Sequence, residues 1–80
     1  MVRWETFEAR RGATPVYRQL ATWIATEIEA GHLETGDQIP AERRLAELTG
    51  VSVDTVRSAM AALRDMGLIE TAHGLGNFVR

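Results

Sequence analysis

A glycine lies between two short amphipathic segments of this 80-residue chain, and it restricts how those segments can pack. Glycine readily adopts the left-handed backbone that ends one helix and turns the chain into the next, which is the role expected of Gly50. Ala46, four residues earlier, is small enough to let a second helix approach closely. Val51, Val56 and Ala59 then supply apolar side chains that close the angle between the helices. The spacing predicts a helix-turn-helix.

An additional helix is predicted upstream of this unit. Thr14 and Pro15 are typical of a helix start, the threonine as a capping hydroxyl and the proline at the first helical position. Gly31 is typical of a helix end. The apolar residues at helical spacing between them are Tyr17, Leu20, Ala21, Ile24 and Ile28. Together these signals predict a first helix over about residues 15–30.

Residues 1–14 differ from the rest of the chain because they lack a sustained periodicity. We expect them to form an extended arm that Trp4 and Phe7 attach to the core. The sequence therefore predicts two parts, an N-terminal arm over residues 1–14 and a folded domain over residues 15–80.

The folded domain is predicted to be mainly α with a small β-sheet. The elements expected after the first helix are a strand at 37–39, helices at about 41–48 and 53–66, and strands at 68–72 and 77–80. Ser52 is placed to cap the third helix, and Gly67 to stop it. The last two strands flank residues 73–76 as a β-hairpin. Three helices followed by such a hairpin, the wing, form a winged helix-turn-helix.

Length and composition exclude several classes of protein. Eighty residues leave little room for both a core and a deep catalytic cleft. The absence of cysteine excludes a disulfide or a thiolate metal site. His32 and His73 lie on separate loops, and no serine or carboxylate arrangement indicates an activated nucleophile. We therefore expect no enzyme activity, no metal and no cofactor. The charged N-terminus excludes a signal peptide or a membrane span, which predicts a cytoplasmic protein.

The charge distribution gives opposing signals about a nucleic-acid partner. A formal net charge of −2 argues against one. All nine basic residues are arginines, which suit phosphate and guanine contacts better than lysines. The acids concentrated at the end of the first helix and in the following loop are Glu27, Glu29, Glu34 and Asp37. Because this cluster is expected to lie away from the helix-turn-helix, electrostatic steering toward DNA can persist.

Short motifs in one fixed order cover residues 15–79. They are Pro15 and Tyr17, Gly36-Asp37, Ile39-Pro40, Glu42-Arg43, Leu45-Ala46, Gly50-Val51-Ser52, Thr55-Val56-Arg57, Gly67-Leu68-Ile69, Gly74, Gly76 and Phe78-Val79. In these motifs the chain resembles the N-terminal DNA-binding domain of the GntR family of bacterial transcription regulators. The resemblance implies a winged helix that binds operator DNA in a sequence-specific manner and acts as a repressor.

The resemblance also implies a set of DNA-binding residues. The third helix would dock in the major groove and the wing in the minor groove. The implied residues are Arg43 and Arg44 on the second helix, Ser52, Val53, Asp54, Thr55 and Arg57 on the third, and His73, Gly74 and Leu75 at the wing tip. Physical arguments support some of them independently. Ser52 and Thr55 lie at a helix N-terminus, whose N–H groups suit phosphate, and the guanidinium of Arg57 fits guanine or phosphate.

Three residues of this set depart from the pattern of the resemblance. Val53 and Leu75 stand where many family members have a basic residue, and Asp54 would repel phosphate. Val53 is expected at the rim of the apolar face, half-buried. These departures lead us to expect weaker DNA binding than in a more basic relative. They also favour a competing interpretation, a winged-helix protein-interaction module with weak or no DNA binding.

Several residues of the set, and Arg64 outside it, also have a simpler interpretation. Ser52 can act as a helix cap alone. Arg44 and Arg64 can be solvated side chains whose charges Glu47 and Asp65 neutralise. His73 in a turn is more often solvated than functional.

The expected partner is double-stranded DNA with a two-fold operator, and no membrane is expected. Trp4, Phe7 and Trp23 offer only small dimer surfaces, which predicts at most a weak homodimer in solution. Family members usually carry a C-terminal domain that binds a small molecule and dimerises the protein. The chain ends just after the wing at Arg80, so we expect that effector domain to be absent from it.

Overall fold

Three α-helices precede a two-stranded antiparallel sheet, so the predicted winged helix-turn-helix is confirmed. The computed structural model describes residues 1–80. Its elements are a 3-10 turn at Trp4–Thr6, α1 at Val16–Glu29, α2 at Glu42–Thr49, α3 at Val53–Asp65, β1 at Ile69–Ala72 and β2 at Gly76–Val79. None of the helices has the length and hydropathy that a membrane crossing requires.

The turn between α2 and α3 has the geometry that its sequence predicts. Gly50 ends α2 with a left-handed φ of 77°, and its N–H donates to the carbonyl of Ala46 at 2.9 Å. Ser52 then caps α3, since its Oγ accepts from the N–H of Thr55 at 3.1 Å. The turn between the two helices is thus formed by local contacts among Ala46, Gly50, Ser52 and Thr55.

The start of α1 differs from the expectation. Pro15 is the capping residue, and its carbonyl accepts from the N–H groups of Arg18 and Gln19, both at 3.1 Å. The prediction that the Thr14 hydroxyl caps this helix was wrong, because no side chain caps it. Thr14 lies just before the capping residue, and its carbonyl accepts from Nε2 of Gln19 at 2.8 Å.

One apolar core joins the three helices, the wing and the arm. α3 packs against both α1 and α2, with Val56, Ala59, Met60 and Leu63 buried. The other buried apolar residues are Trp4, Phe7, Leu20, Ala21, Ile24, Leu33, Ile39, Leu45, Ala46, Ile69 and Val79. Because α3 contributes its inner face to this core, its opposite face is fixed toward solvent.

The N-terminal arm is part of the same core. Trp4 and Phe7 are buried, and their rings lie 5.8 and 6.0 Å from the ring of Trp23 on α1. Gln19 binds the backbone of Arg10 through both its amide oxygen and nitrogen, each at 2.8 Å. The expected attachment through Trp4 and Phe7 is confirmed, although the arm contains a 3-10 turn and is not wholly extended. The boundary at residue 15 stays a prediction.

The wing is supported on its outer edge by the loop before α2. β1 and β2 pair with Ile69 opposite Val79 and Ala72 opposite Gly76. The strand expected at 37–39 is reduced to a single bridge between Gln38 and Phe78. Backbone hydrogen bonds on both sides of that bridge fasten the loop to β2. The other strand, β1, packs against α3, so the wing lies beside that helix.

Candidate nucleic-acid interface

Three elements form one exposed face: the N-terminal end of α2, the outer side of α3 and the wing. Between them lies an open groove of about 660 Å³. The residues that line it are Ala41, Glu42, Arg57, Arg64, Thr71, Ala72, His73, Gly74, Gly76 and Asn77. The groove brings together Arg57, His73 and Gly74 of the predicted set. It also includes residues that sequence reasoning left out, Glu42 and Asn77 among them.

Arg57 is held between two carboxylates. Its Nε lies 3.2 Å from Oε1 of Glu42 on α2, and its Nη1 lies 3.3 Å from Oδ1 of Asp54 on α3. The guanidinium stays accessible, with 59% of the side chain exposed. The pair with Asp54 spans three residues of one helix, a spacing that sequence alone could have revealed. The pair with Glu42 joins two helices, and no spacing in the sequence indicates it.

The two arginines of α2 have different surroundings. Arg43 is exposed, and no carboxylate oxygen lies within 4.0 Å of its guanidinium. Arg44 pairs with Glu47 at 3.3 Å, as the simpler interpretation of this residue proposed. Arg43 is therefore the stronger candidate of the two for a DNA contact, since its charge is not shared with a neighbouring acid.

The N-terminal end of α3 offers few free donors. The Oγ of Ser52 is already engaged with Thr55, because it accepts from the backbone N–H and donates to Oγ1 at 2.9 Å. Val53 is half-buried and packs against the core, which confirms its expected rim position. Asp54 is almost fully exposed, at 93% of its side chain. This end of the helix thus presents one acid, one apolar side chain and the paired Arg57.

The wing tip is exposed and turns at a glycine. Gly74 adopts a left-handed φ of 79°, and Leu75 beside it is 71% exposed. Gly76 is required for a different reason, because a Cβ there would lie 2.7 Å from Nε2 of Gln38. That Nε2 donates to the carbonyl of Leu75 at 2.8 Å. The glycine therefore lets Gln38 fasten the tip of the wing, which sequence reasoning did not foresee.

Arg64 lies at the other end of α3 and faces the wing. Its Nη1 donates to Oγ1 of Thr71 at 3.0 Å and to Oδ1 of Asn77 at 3.5 Å. The simpler interpretation, in which Asp65 neutralises this arginine, does not hold, since no carboxylate oxygen lies within 4.0 Å of its guanidinium. Thr71 and Asn77 are cross-strand neighbours, and their side chains bond each other at 2.6 Å.

The charges of this face nearly balance. Its arginines are Arg43, Arg44, Arg57 and Arg64, and its carboxylates are Glu42, Glu47 and Asp54. An anionic polymer would therefore be attracted mainly by the two arginines that have no carboxylate partner. No three side chains of metal-ligating type come together anywhere in the chain.

Comparison with known protein families gives one clear match. The family described as bacterial regulatory proteins, gntR family, matches residues 16–79. The HTH-type transcriptional regulator SmoD of Agrobacterium fabrum is 38% identical over 69 residues, which cover 86% of this chain and 30% of SmoD. The mannosyl-D-glycerate transport/metabolism system repressor MngR of Escherichia coli is 39% identical over 69 residues, covering 86% of this chain and 29% of MngR. The chain spans less than a third of either relative.

A solved structure extends the likeness to the fold. The DNA-binding domain of AraR, crystallised with operator ORX1, superposes with a TM-score of 0.81. The two chains are 32% identical, and the match covers 92% of each. The helices and the wing of this chain therefore have the same arrangement as those of a domain solved on its operator.

Proposed function

This chain belongs to the gntR family of bacterial regulatory proteins and carries its winged helix, and we propose that it is a sequence-specific DNA-binding transcription regulator. The likeness to the AraR domain solved with its operator is the observation that carries the proposal. The likeness to MngR, a repressor, supports repression as the direction of control. Its place of action is the cytoplasm, where the DNA of a bacterial cell lies.

The docking we propose follows from the exposed face. The N-terminal half of α3 enters the major groove, as the second helix of a helix-turn-helix does. Arg57 then reaches a base edge, with guanine as the preferred partner of its guanidinium. Val53 and Asp54 lie beside it at the helix start. Val53 contributes apolar contact, for which a thymine methyl is a suitable partner.

The remaining contacts position the protein on the sugar-phosphate backbone of the DNA. Arg43 binds a phosphate, and the N–H groups beside Ser52 and Thr55 add weaker support. The wing tip lies in the minor groove. Gly74 permits close approach of the protein backbone to the DNA, and His73 and Leu75 flank this glycine. Because two of the four arginines of the face, Arg44 and Arg57, share their charge with an acid, the affinity is expected to be modest.

A titration with salt tests the proposal. The chain should bind mixed duplex DNA at low salt, and the logarithm of its association constant should fall linearly with the logarithm of the salt concentration. Arg43→Ala should weaken all duplexes about equally and reduce that slope by about 0.9. Arg3→Gln, which removes a charge paired with Glu5 on the arm, is the matched control.

The competing function, a protein-interaction module, has its own signature. It is favoured by the exposed Leu75 and by the acid at Asp54. Absence of DNA binding by the wild-type chain at low salt would support it. Selection of bound sequences from random duplexes gives the complementary result, because a regulator enriches one operator whereas an interaction module enriches none.

We further propose that two copies of the chain pair on a two-fold operator and that a single copy is the dominant species in solution. Trp4, Phe7 and Trp23 pack against one another within one chain, so these rings leave little apolar surface for a dimer. A standard interface buries about 800 Å² per partner. Analytical ultracentrifugation should show a monomer at low micromolar concentration, and a tight dimer there would contradict this.

A further inference from the structure

The wing carries no lysine or arginine side chain of its own. Residues 69–79 contain no lysine or arginine, and their one permanent charge is the carboxylate of Glu70. A minor-groove element of this composition has little attraction for the phosphates that border the groove. A lysine or arginine on this side of the docking face must therefore come from a neighbouring element.

Arg64 supplies that charge from α3. It is exposed, lines the groove between α3 and the wing, and lies seven residues after Arg57. Seven residues are two helical turns, so both guanidinium groups are on the same side of the helix. The contacts of Arg64 are to the neutral oxygens of Thr71 and Asn77, which leave its charge intact.

On the basis of the proposed function, we infer that Arg64 is a phosphate-binding residue of the DNA interface. Its guanidinium holds one phosphate of the strand that passes between α3 and the wing. A phosphate suits this position better than a base, because base contacts come from the N-terminal half of the helix and Arg64 is in its last turn. Only one of its nitrogens is used by Thr71 and Asn77, so donors remain for the phosphate oxygens.

Thr71 and Asn77 act as positioning residues in this arrangement. They bond each other across the two strands and fix the guanidinium from one side. An arginine that is oriented before binding loses less side-chain entropy when it meets the phosphate. The same three side chains also connect α3 to the wing, so Arg64 has a structural role whether or not DNA is bound.

Salt titration of wild type and variants separates the two roles. Arg64→Gln should lower the slope of log affinity against log salt by about 0.9 and weaken binding about 8-fold at 0.1 M salt. The loss should be equal for operator and mixed duplex, because a phosphate carries no sequence information. Arg64→Lys should keep the slope. Thr71→Val, which removes an oxygen and no charge, should weaken binding less and also keep the slope.

The controls make the result specific to this position. Arg3→Gln removes one paired positive charge from the arm and should leave the slope unchanged. Thermal unfolding of every variant shows which ones are folded, and Arg64→Ala provides a second charge-removing variant at this exposed site. A lowered melting temperature with an unchanged slope in Arg64→Gln and Arg64→Ala would overturn the inference and leave Arg64 as a connection between helix and wing.

If the proposed DNA-binding function is wrong, the salt titration gives a different result from the one expected if only the role of Arg64 is wrong. If the wild-type chain shows no salt-dependent binding, the proposed function and this inference fail together. If the wild type binds and Arg64→Gln behaves like Arg3→Gln, only the role of Arg64 is wrong.

Discussion

Arg57 and Arg64 lie two turns apart on the same helix, yet their surroundings differ in charge. Arg57 is held by the carboxylates of Glu42 and Asp54. Arg64 is held by the neutral oxygens of Thr71 and Asn77. Both are exposed and both line the groove beside the wing. The difference therefore comes from their partners and not from their access to solvent.

The comparison shows how orientation and net attraction can be separated along one helix. Two carboxylates orient the Arg57 guanidinium but offset its charge, and this suits a residue that reads the geometry of a base edge. Neutral partners orient Arg64 and leave its charge available, which suits a residue that attracts phosphate. In the proposed docking, the N-terminal end of α3 supplies sequence specificity and its C-terminal end supplies affinity.

The largest effect is expected from removing Arg57, the arginine in the N-terminal half of α3 that is proposed to read a base. Arg57→Ala should weaken operator binding by about 1–3 kcal/mol and relax the preference at one base pair. Affinity measurements on the operator and on its single-base variants provide the test. An equal loss on every duplex would show that Arg57 binds phosphate, and the proposed contrast with Arg64 would disappear.

A smaller effect is expected from adding a charge at the same end. Val53→Arg should steepen the salt slope by about 0.9 and raise non-specific affinity about 8-fold at 0.1 M salt. The fold should tolerate it because Val53 is half-buried at the rim and an arginine can extend to solvent. The preferred operator should also shift toward guanine near this position.

Thermal denaturation and salt titration are both needed to interpret the Val53→Arg variant. If Val53→Arg unfolds the chain, Val53 is a core residue and not a rim residue that tolerates an arginine. If it folds with unchanged affinity and slope, the start of α3 does not enter the groove, and the protein-interaction module becomes the better account.

The smallest effect is expected from neutralising the partners of Arg57. Asp54→Asn and Glu42→Gln should each raise non-specific affinity by about 0.2–1 kcal/mol, the usual range for an exposed ion pair. Both should also reduce discrimination between operator and mixed duplex, because the guanidinium loses its orientation. Glu5→Gln on the arm removes the same charge from an exposed pair with Arg3 and is the matched control. Gains no larger than those of Glu5→Gln would mean that the two carboxylates do not govern Arg57.

Part of the candidate site could be predicted from residues close together in sequence. The position of Ser52 just before the third helix predicted a cap, and the structure contains it. The position of Val53 on the helical wheel predicted a half-buried rim residue, and the structure places it there. The cap assigned to Thr14 was wrong because Pro15 takes that role with its backbone alone.

The sequence by itself determined the winged helix, because each of its signals acts within a few residues. Gly50 turns the chain, Ser52 starts α3, and Gly74 closes the wing through backbone conformations that depend on local sterics. Only the tertiary structure decided which charges meet on the docking face. The bond from Arg57 to Glu42 spans 15 residues, that from Arg64 to Asn77 spans 13, and that from Gln38 to Leu75 spans 37. Such contacts depend on where the packed core places each element, and this placement is a property of the whole chain.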